Sequence, residues 1–152
     1  MIRQFSLVLL ALSLVACGGN SATSSMDDLT LREVVLPRGQ KIKAEVMIKQ
    51  QDMMRGMMFR DSLPPDRGML FIHGSPGSYR YWMYQVRVPL DILWMNRLHQ
   101  VVEISPNTPP CQEKSAQQCP NYGGAQPSIF VLELAGGMAE KYGIQIGSRI
   151  EF

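Results

Sequence analysis

The sequence lacks most of the motifs that would indicate an enzyme or a metal centre. Its two histidines, His73 and His99, are far apart and do not have the spacing of metal ligands. It contains no G-x-S-x-G motif, no metal-binding box and no evident pair of catalytic carboxylates. The residues therefore predict no cofactor and no bound metal.

The chain also lacks an excess of charge of either sign. Lys and Arg number 15 and Asp and Glu number 13, a net charge of +2, so there is no basic stripe of the kind that nucleic-acid binding needs. Hydrophobic residues make up 45% of the chain, which is too many for a disordered protein. A length of 152 residues fits one folded domain.

No apolar run is long enough to cross a bilayer. The longest, Phe5 to Ala16, would rise about 18 Å as a helix, whereas the hydrocarbon core is roughly 30 Å thick. A short apolar run behind the basic Arg3 is typical of a secretory signal peptide, which we place at residues 1–16. The sequence Leu14-Val15-Ala16-Cys17 at its end resembles a bacterial lipobox.

That resemblance implies the location of the protein. Cys17 would become the first mature residue and carry diacylglycerol, and two or three acyl chains anchor a protein stably to a membrane. The residue after the cysteine is Gly18 and not Asp. In Gram-negative lipoproteins this implies sorting to the outer membrane, where the protein would face the periplasm. Residues 17–28 are small and polar and would form a tether with a reach of about 18 Å. The folded domain would then span residues 29–152.

The two remaining cysteines predict a disulfide. Cys111 and Cys119 are close in sequence and would lie in an oxidising compartment. Their segment, residues 105–127, contains five prolines and no periodicity, so a covalent staple would order it. A redox-active pair is the weaker alternative, because the spacing is C-x7-C and not C-x-x-C.

Short strands dominate the predicted secondary structure. Residues Lys41 to Lys49 alternate between apolar and polar, as in a strand with one buried face. Leu29 to Leu36 would pair with it through a turn at Pro37-Arg38-Gly39. Further predicted strands are Met69–His73, Tyr81–Val88, Asp91–Asn96, Gln100–Ser105 and Ser128–Ala135; the helices are Gln50–Arg55 and Met138–Tyr142; and His73–Ser78 is a hairpin turn. Together they predict a mainly β fold, a compact sandwich or barrel with two short helices.

Several motifs resemble the domain-of-unknown-function family number 192. They follow in collinear order from about Glu45 to Phe152: Arg55-Gly56-Met57-Met58-Phe59-Arg60 with Ser62-Leu63-Pro64, Gly68-Met69-Leu70-Phe71, Trp82-Met83, Pro89-Leu90-Asp91-Ile92-Leu93-Trp94, Pro109-Pro110-Cys111, and Phe130-Val131-Leu132-Glu133-Leu134 with Gly137, Ala139-Glu140 and Gly143. The resemblance implies a compact, jelly-roll-like β domain that is often exported or lipidated. It implies no particular activity.

Asp91 is the most informative polar residue of these motifs. It adjoins the apolar run Ile92 to Met95, and a buried carboxylate must be paired. Arg55 or Arg60 could pair with it, which would either lock a helix onto the sheet or form the polar floor of a pocket walled by Trp82. In the second case an arginine would bind a carboxylate or phosphate of a ligand. The predicted ligand contacts are Arg55, Arg60, Trp82 and Asp91.

The sequence therefore predicts a lipid-anchored, non-enzymatic binding or accessory module of the cell envelope. Its partners would be the membrane, through Cys17, and an unidentified small molecule or protein. One alternative is an envelope hydrolase that uses Asp91, with or without His73. A second is a copper carrier, because Met53, Met54, Met57 and Met58 form a thioether cluster; methionines at helical spacing more often fill a core.

Overall fold

The computed structural model describes residues 31–152. The predicted signal peptide of residues 1–16, the lipidation of Cys17 and the tether of residues 17–28 lie outside the described residues. Within the described part, no helix is both long and apolar enough to cross a membrane.

The domain begins with the predicted hairpin. Strand β1 (Leu31–Val35) pairs antiparallel with β2 (Lys41–Met47), and the chain turns at residues 37–39. Ile42 and Ala44 are buried while Lys41 and Lys43 are exposed. The period-two pattern therefore predicted the buried face correctly at these positions. The predicted extension to Lys49 is wrong, because β2 ends at Met47 and Ile48 is 67% exposed.

A short helix then carries the chain over one face of the sheet. Helix α1 (Gln50–Arg55) has the predicted bounds and is followed by Gly56 at a positive φ of 44°. Strand β3 (Arg67–Gly77) returns parallel to β2. The prediction of a hairpin turn at residues 73–78 is wrong, because β3 continues to Gly77, which pairs with Ser128 after a register shift. Such a bulge accommodates glycines without ending the strand.

Six strands form one open sheet. Strands β5 (Leu90–Met95), β6 (Val101–Thr108) and β8 (Ser128–Ala135) complete it in the order β1-β2-β3-β8-β5-β6. Two short strands, β4 (Tyr81–Trp82) and β7 (Asn121–Tyr122), pair separately, and helix α2 (Met138–Lys141) follows β8. The mainly β fold with two short helices is confirmed; the described sheet is not closed into a barrel.

Each face of the sheet packs against its own apolar cluster. The first cluster includes Leu70, Leu93 and Leu132, and helix α2 lies on this side through Ala139. The second cluster contains the larger side chains, among them Met57, Met69, Phe71, Ile92, Trp94 and Val131. Since successive strand residues point to opposite faces, a central strand such as β8 is buried on both sides.

The predicted disulfide is present. Cys111 and Cys119 are bonded, with their Cα atoms 5.8 Å apart, and a 3-10 helix (Ala116–Gln118) lies inside the loop. The Cys111 N–H donates to the Met83 carbonyl at 3.1 Å, and Cys111 packs against the second cluster. The disulfide and these contacts of Cys111 therefore attach the proline-rich loop to the rest of the domain.

Candidate functional site

A cavity of about 340 Å³ lies between helix α1 and the second face of the sheet. Its wall is mostly thioether and aromatic, formed by Met53, Met54, Met57, Met58, Phe71, Tyr79, Tyr81, Trp82, Tyr84 and Val86. A concave, largely apolar cavity with a few convergent polar groups is the usual form of a small-molecule site. The cavity is therefore the candidate functional site.

Local backbone geometry shapes the roof of this cavity. The Gly56 N–H donates to the Asp52 carbonyl at 2.9 Å, which ends α1, and the positive φ of Gly56 redirects the chain. A Cβ at this position would lie 3.4 Å from the ring of Phe71. Met57 then enters the second cluster with 2% of its surface exposed. That contact leaves room for a Cβ, so it is the positive φ of Gly56 that favours a glycine where helix and sheet meet.

Glu133 lies at the floor of the cavity. Its position on β8 is between Met69 of β3 and Ile92 of β5, so its lateral neighbours in the sheet are apolar. Only 4% of the residue is exposed, and Oε2 has no hydrogen-bond partner among residues 31–152. Burial raises the pKa of Glu133 to about 8, against the opposing field of Arg60. At pH 7 the carboxyl is mostly protonated and neutral.

Arg60 forms its ion pair with Glu45 and not with Glu133. Its guanidinium forms a bidentate ion pair with Glu45, in which Nη2 lies 2.7 Å from Oε2. The hydrogen bond to Glu45 raises the pKa of Arg60. Glu45 occupies the same row of the sheet as Met69 and Glu133. The pair therefore borders the floor of the cavity, and Arg60 is not among the residues that line it.

Two further polar side chains line the cavity beside Glu133. His73 Nε2 lies 3.1 Å from the Tyr81 hydroxyl, and the imidazole stacks on Tyr79 with ring centroids 3.5 Å apart. Burial lowers the pKa of His73, and burial together with Glu133 raises the pKa of Tyr81. Glu133, His73 and Tyr81 are therefore in neutral forms near pH 7.

The cationic groups of the cavity are exposed ones. Arg55 and Arg80 both line it, and both are exposed to solvent. The structure thus brings the predicted residues Arg55 and Trp82 to one site. The cavity combines guanidinium groups, an apolar wall and a neutral carboxyl.

Asp91 is separated from this site. It lies on β5 between Leu90 and Ile92 of the second cluster, and its carboxylate points to the opposite face. There it accepts the backbone N–H groups of Asn107 (2.6 Å), Gly137 (3.1 Å) and Ala139 (2.6 Å). The predicted pairing of Asp91 with an arginine is therefore wrong, because main-chain donors satisfy the buried carboxylate.

The prediction from sequence omitted Glu133, Tyr81 and Tyr79 as site residues. A signal for Glu133 was present: it is the one acid in a strand, residues 128–135, whose two faces are both apolar. An acid in such a strand is buried whichever face it points to, and a buried acid is often functional. Tyr79 and Tyr81 had no comparable signal, since their aromatic run is not periodic.

The four methionines of the thioether cluster all line the cavity. Met57 is buried in the second core cluster and Met53 packs against it, which is the ordinary core-filling role of methionine. Within residues 31–152, no three His, Cys, Asp or Glu residues are grouped so that they could hold a metal ion.

Comparison with known proteins supports the family resemblance. The sequence profile of a family described as "Uncharacterized ACR", domain-of-unknown-function family number 192, matches residues 33–152. A crystal structure of a protein of unknown function from Novosphingobium aromaticivorans is similar, with 28% identity and a TM-score of 0.73, over 80% of this chain and 85% of that chain. A candidate transcription regulator from Sinorhizobium meliloti is 26% identical, with a TM-score of 0.68, over 78% and 89% of the two chains. Among curated proteins, none matches significantly.

Proposed function

The chain belongs to domain-of-unknown-function family number 192, and on that premise we propose that it is a lipid-anchored binding module of the cell envelope. The ligand would be a small, mainly apolar molecule that carries an anionic group. It would occupy the cavity under α1, with its apolar body against Trp82 and its anionic group on Arg55.

One observation carries this proposal: the cavity joins an apolar, aromatic wall to exposed guanidinium groups. An apolar body gains free energy by leaving water for such a wall. Arg55 and Arg80 supply positive charge without a carboxylate among the residues that line the cavity, apart from the buried Glu133. Arginine binds carboxylates and phosphates in planar, bidentate geometry.

The hydrolase alternative has no comparable support. His73 belongs to the face of β3 that carries Phe71 and lines the cavity, whereas Asp91 faces the other side and is held by backbone amides. A catalytic pair needs its members within hydrogen-bond reach of each other or of one substrate. A binding role therefore fits the geometry better than hydrolysis by these two residues.

The ligand site can be tested with 1-anilinonaphthalene-8-sulfonate, an apolar aromatic anion. We expect fluorescence titration to show saturable binding that Arg55→Gln and Trp82→Ala each weaken about three- to tenfold, the worth of one hydrogen-bonded or stacked contact. Arg97→Gln, an exposed charge outside the cavity, is the matched control and should bind like the wild type. Equal affinities in all four proteins would contradict the proposal.

The anchor is tested separately. The short apolar run behind Arg3 and the cysteine that follows Ala16 support the proposed lipid anchor. Mass spectrometry of the protein purified from bacterial membranes should show a start at Cys17 with a diacylglycerol and an acyl group. Cys17→Ser should leave the chain unlipidated and release it from the membrane fraction. An unmodified, uncleaved start would refute this part of the proposal.

A further inference from the structure

The carboxyl of Glu133 is the one polar group at the floor of the cavity whose bonding is incomplete. Its residue is 4% exposed and Oε2 has no partner within residues 31–152. A buried carboxyl without a partner costs stability, whereas the same group gains a hydrogen bond when a ligand fills the cavity. We propose that Glu133 is a specificity-determining residue that donates a hydrogen bond to a neutral oxygen acceptor of the ligand.

This inference rests on the proposed function and names the ligand class more closely. The cationic groups are solvent-exposed, at Arg55 and Arg80, while the carboxyl is buried at the floor. A ligand that satisfies both ends is an elongated amphiphile with an anionic head and an apolar body. Its far end carries a carbonyl or ether oxygen. Oxo acids of medium chain length have this chemistry.

Donation to a neutral acceptor fits the surroundings better than pairing with a cation. A cationic ligand would have to pass the guanidinium groups of Arg55 and Arg80. A carboxyl in an apolar site remains neutral at pH 7 and can then act as a hydrogen-bond donor. The pKa of Glu133, raised by burial to about 8, is consistent with the neutral form.

None of the following neighbouring groups takes the place of Glu133 as the buried hydrogen-bond donor. From β3 and β5, its lateral neighbours are Met69 and Ile92. Arg60 exerts an attractive field, but its guanidinium is occupied by Glu45. Tyr81, on β4, is neutral and is held by the His73 imidazole at 3.1 Å. Among these groups, Glu133 is therefore the one with a buried polar atom that has no partner within residues 31–152.

Matched pairs of fatty acids and oxo acids test the proposal. The probes are hexanoate against 5-oxohexanoate, octanoate against 7-oxooctanoate, and decanoate against 9-oxodecanoate, titrated calorimetrically at pH 6.5 into the full chain carrying Cys17→Ser. For at least one of the three chain lengths, we expect the oxo acid to bind about three- to tenfold more tightly than the fatty acid of the same length. This is the contribution of one hydrogen bond. Glu133→Gln should retain this preference, since an amide also donates, and Glu133→Leu should abolish it.

The pH dependence of the preference for the oxo acid is a second test, and it does not depend on Glu133→Leu. Between pH 7 and 9 the wild-type preference for the oxo acid should disappear as Glu133 loses its proton, whereas Glu133→Gln should keep its preference. Glu33→Gln, the same change at an exposed site, should behave as the wild type. A wild type without preference at any length, or a preference that survives in Glu133→Leu, would overturn the inference.

The same titrations separate this inference from the proposed function. If the simple fatty acids bind and Arg55→Gln weakens them, the binding module stands even when the oxo preference is absent. If neither fatty acids nor oxo acids bind the wild type, this inference fails, and the titration with 1-anilinonaphthalene-8-sulfonate then decides the proposed function.

Discussion

The carboxylate of Asp91 accepts the backbone N–H of Ala139 at 2.6 Å, and so fixes helix α2 to strand β5. The same side chain holds Gly137 and Asn107 through their N–H groups. Three elements that are distant in sequence thus meet at one buried acid. The sequence singled out Asp91 as a ligand contact, whereas the structure places its carboxylate on backbone N–H groups, away from the cavity.

Removal of this carboxylate should destabilise the fold strongly. Asp91→Ala leaves three N–H groups without an acceptor, and we expect a loss of about 3 kcal/mol in the free energy of unfolding, measured in urea. Asp91→Asn should cost less, because its one remaining oxygen still accepts. Asp66→Asn, at an exposed position, should change stability by less than about 0.5 kcal/mol.

A double-mutant cycle should find no coupling between Arg55 and Asp91. The two side chains belong to opposite faces of the sheet and have no shared partner among the hydrogen bonds of residues 31–152. Their effects on the free energy of unfolding should add to within about 0.5 kcal/mol. A coupling above about 1 kcal/mol would restore the ion pair that the structure contradicts.

The stability of the domain should depend on pH through Glu133. Its folded pKa, about 8, lies above its unfolded value, so the folded state binds more protons between about pH 4.5 and 8. Stability should therefore fall as pH rises through this window, by on the order of 4 kcal/mol relative to Glu133→Gln. Urea titrations of the wild type and Glu133→Gln at pH 5, 7 and 9 measure this difference. If the free energy of unfolding depends on pH in the same way in both proteins, the carboxyl is in contact with water and the prediction is wrong.

Gly123 should tolerate no side chain, because a Cβ there would overlap the indole ring of Trp94. Gly123→Ala adds this clash to the strain of a positive φ of 73°, and should lower the free energy of unfolding by more than about 2 kcal/mol. Gly39→Ala is a matched control, since Gly39 has a φ of 83° and a Cβ added there would have no atom within 4 Å. Gly39→Ala should lower the free energy of unfolding by about 1 kcal/mol, the cost of a positive φ alone. Equal losses at both sites would show that the Trp94 ring moves aside easily.

The disulfide should contribute moderately to stability. Cys111 and Cys119 are separated by eight positions, and closing so short a loop is worth about 2.5 kcal/mol of chain entropy. The double variant Cys111→Ala/Cys119→Ala should lose about this much in urea denaturation. The wild type measured with a reducing agent should match the double variant, and a reducing agent should leave the variant itself unchanged.

Local patterns were sufficient to predict much of the fold. The alternation in Lys41–Lys49 predicted a half-buried strand, which the structure forms over Lys41–Met47, and the turn at residues 37–39 predicted its partner. Helix α1 was predicted at Gln50–Arg55 because Gly56 follows it. The glycines at residues 74 and 77 led to the predicted turn, whereas β3 continues through a register shift after Ile72 and Gly77 pairs with Ser128 of β8.

The sequence by itself determined the mainly β class, the first hairpin, the position of helix α1 and the disulfide, because each depends on neighbouring residues or on a small loop. It did not determine every strand: the predicted strand Tyr81–Val88 is only Tyr81–Trp82 in the structure. Only the tertiary structure decided which polar residues share a site. Residues 91 and 133 are both acids in apolar strands, but sheet pairing turns Asp91 toward backbone amides and Glu133 toward the cavity. That choice depends on register and face, which are set by contacts between strands far apart in the sequence.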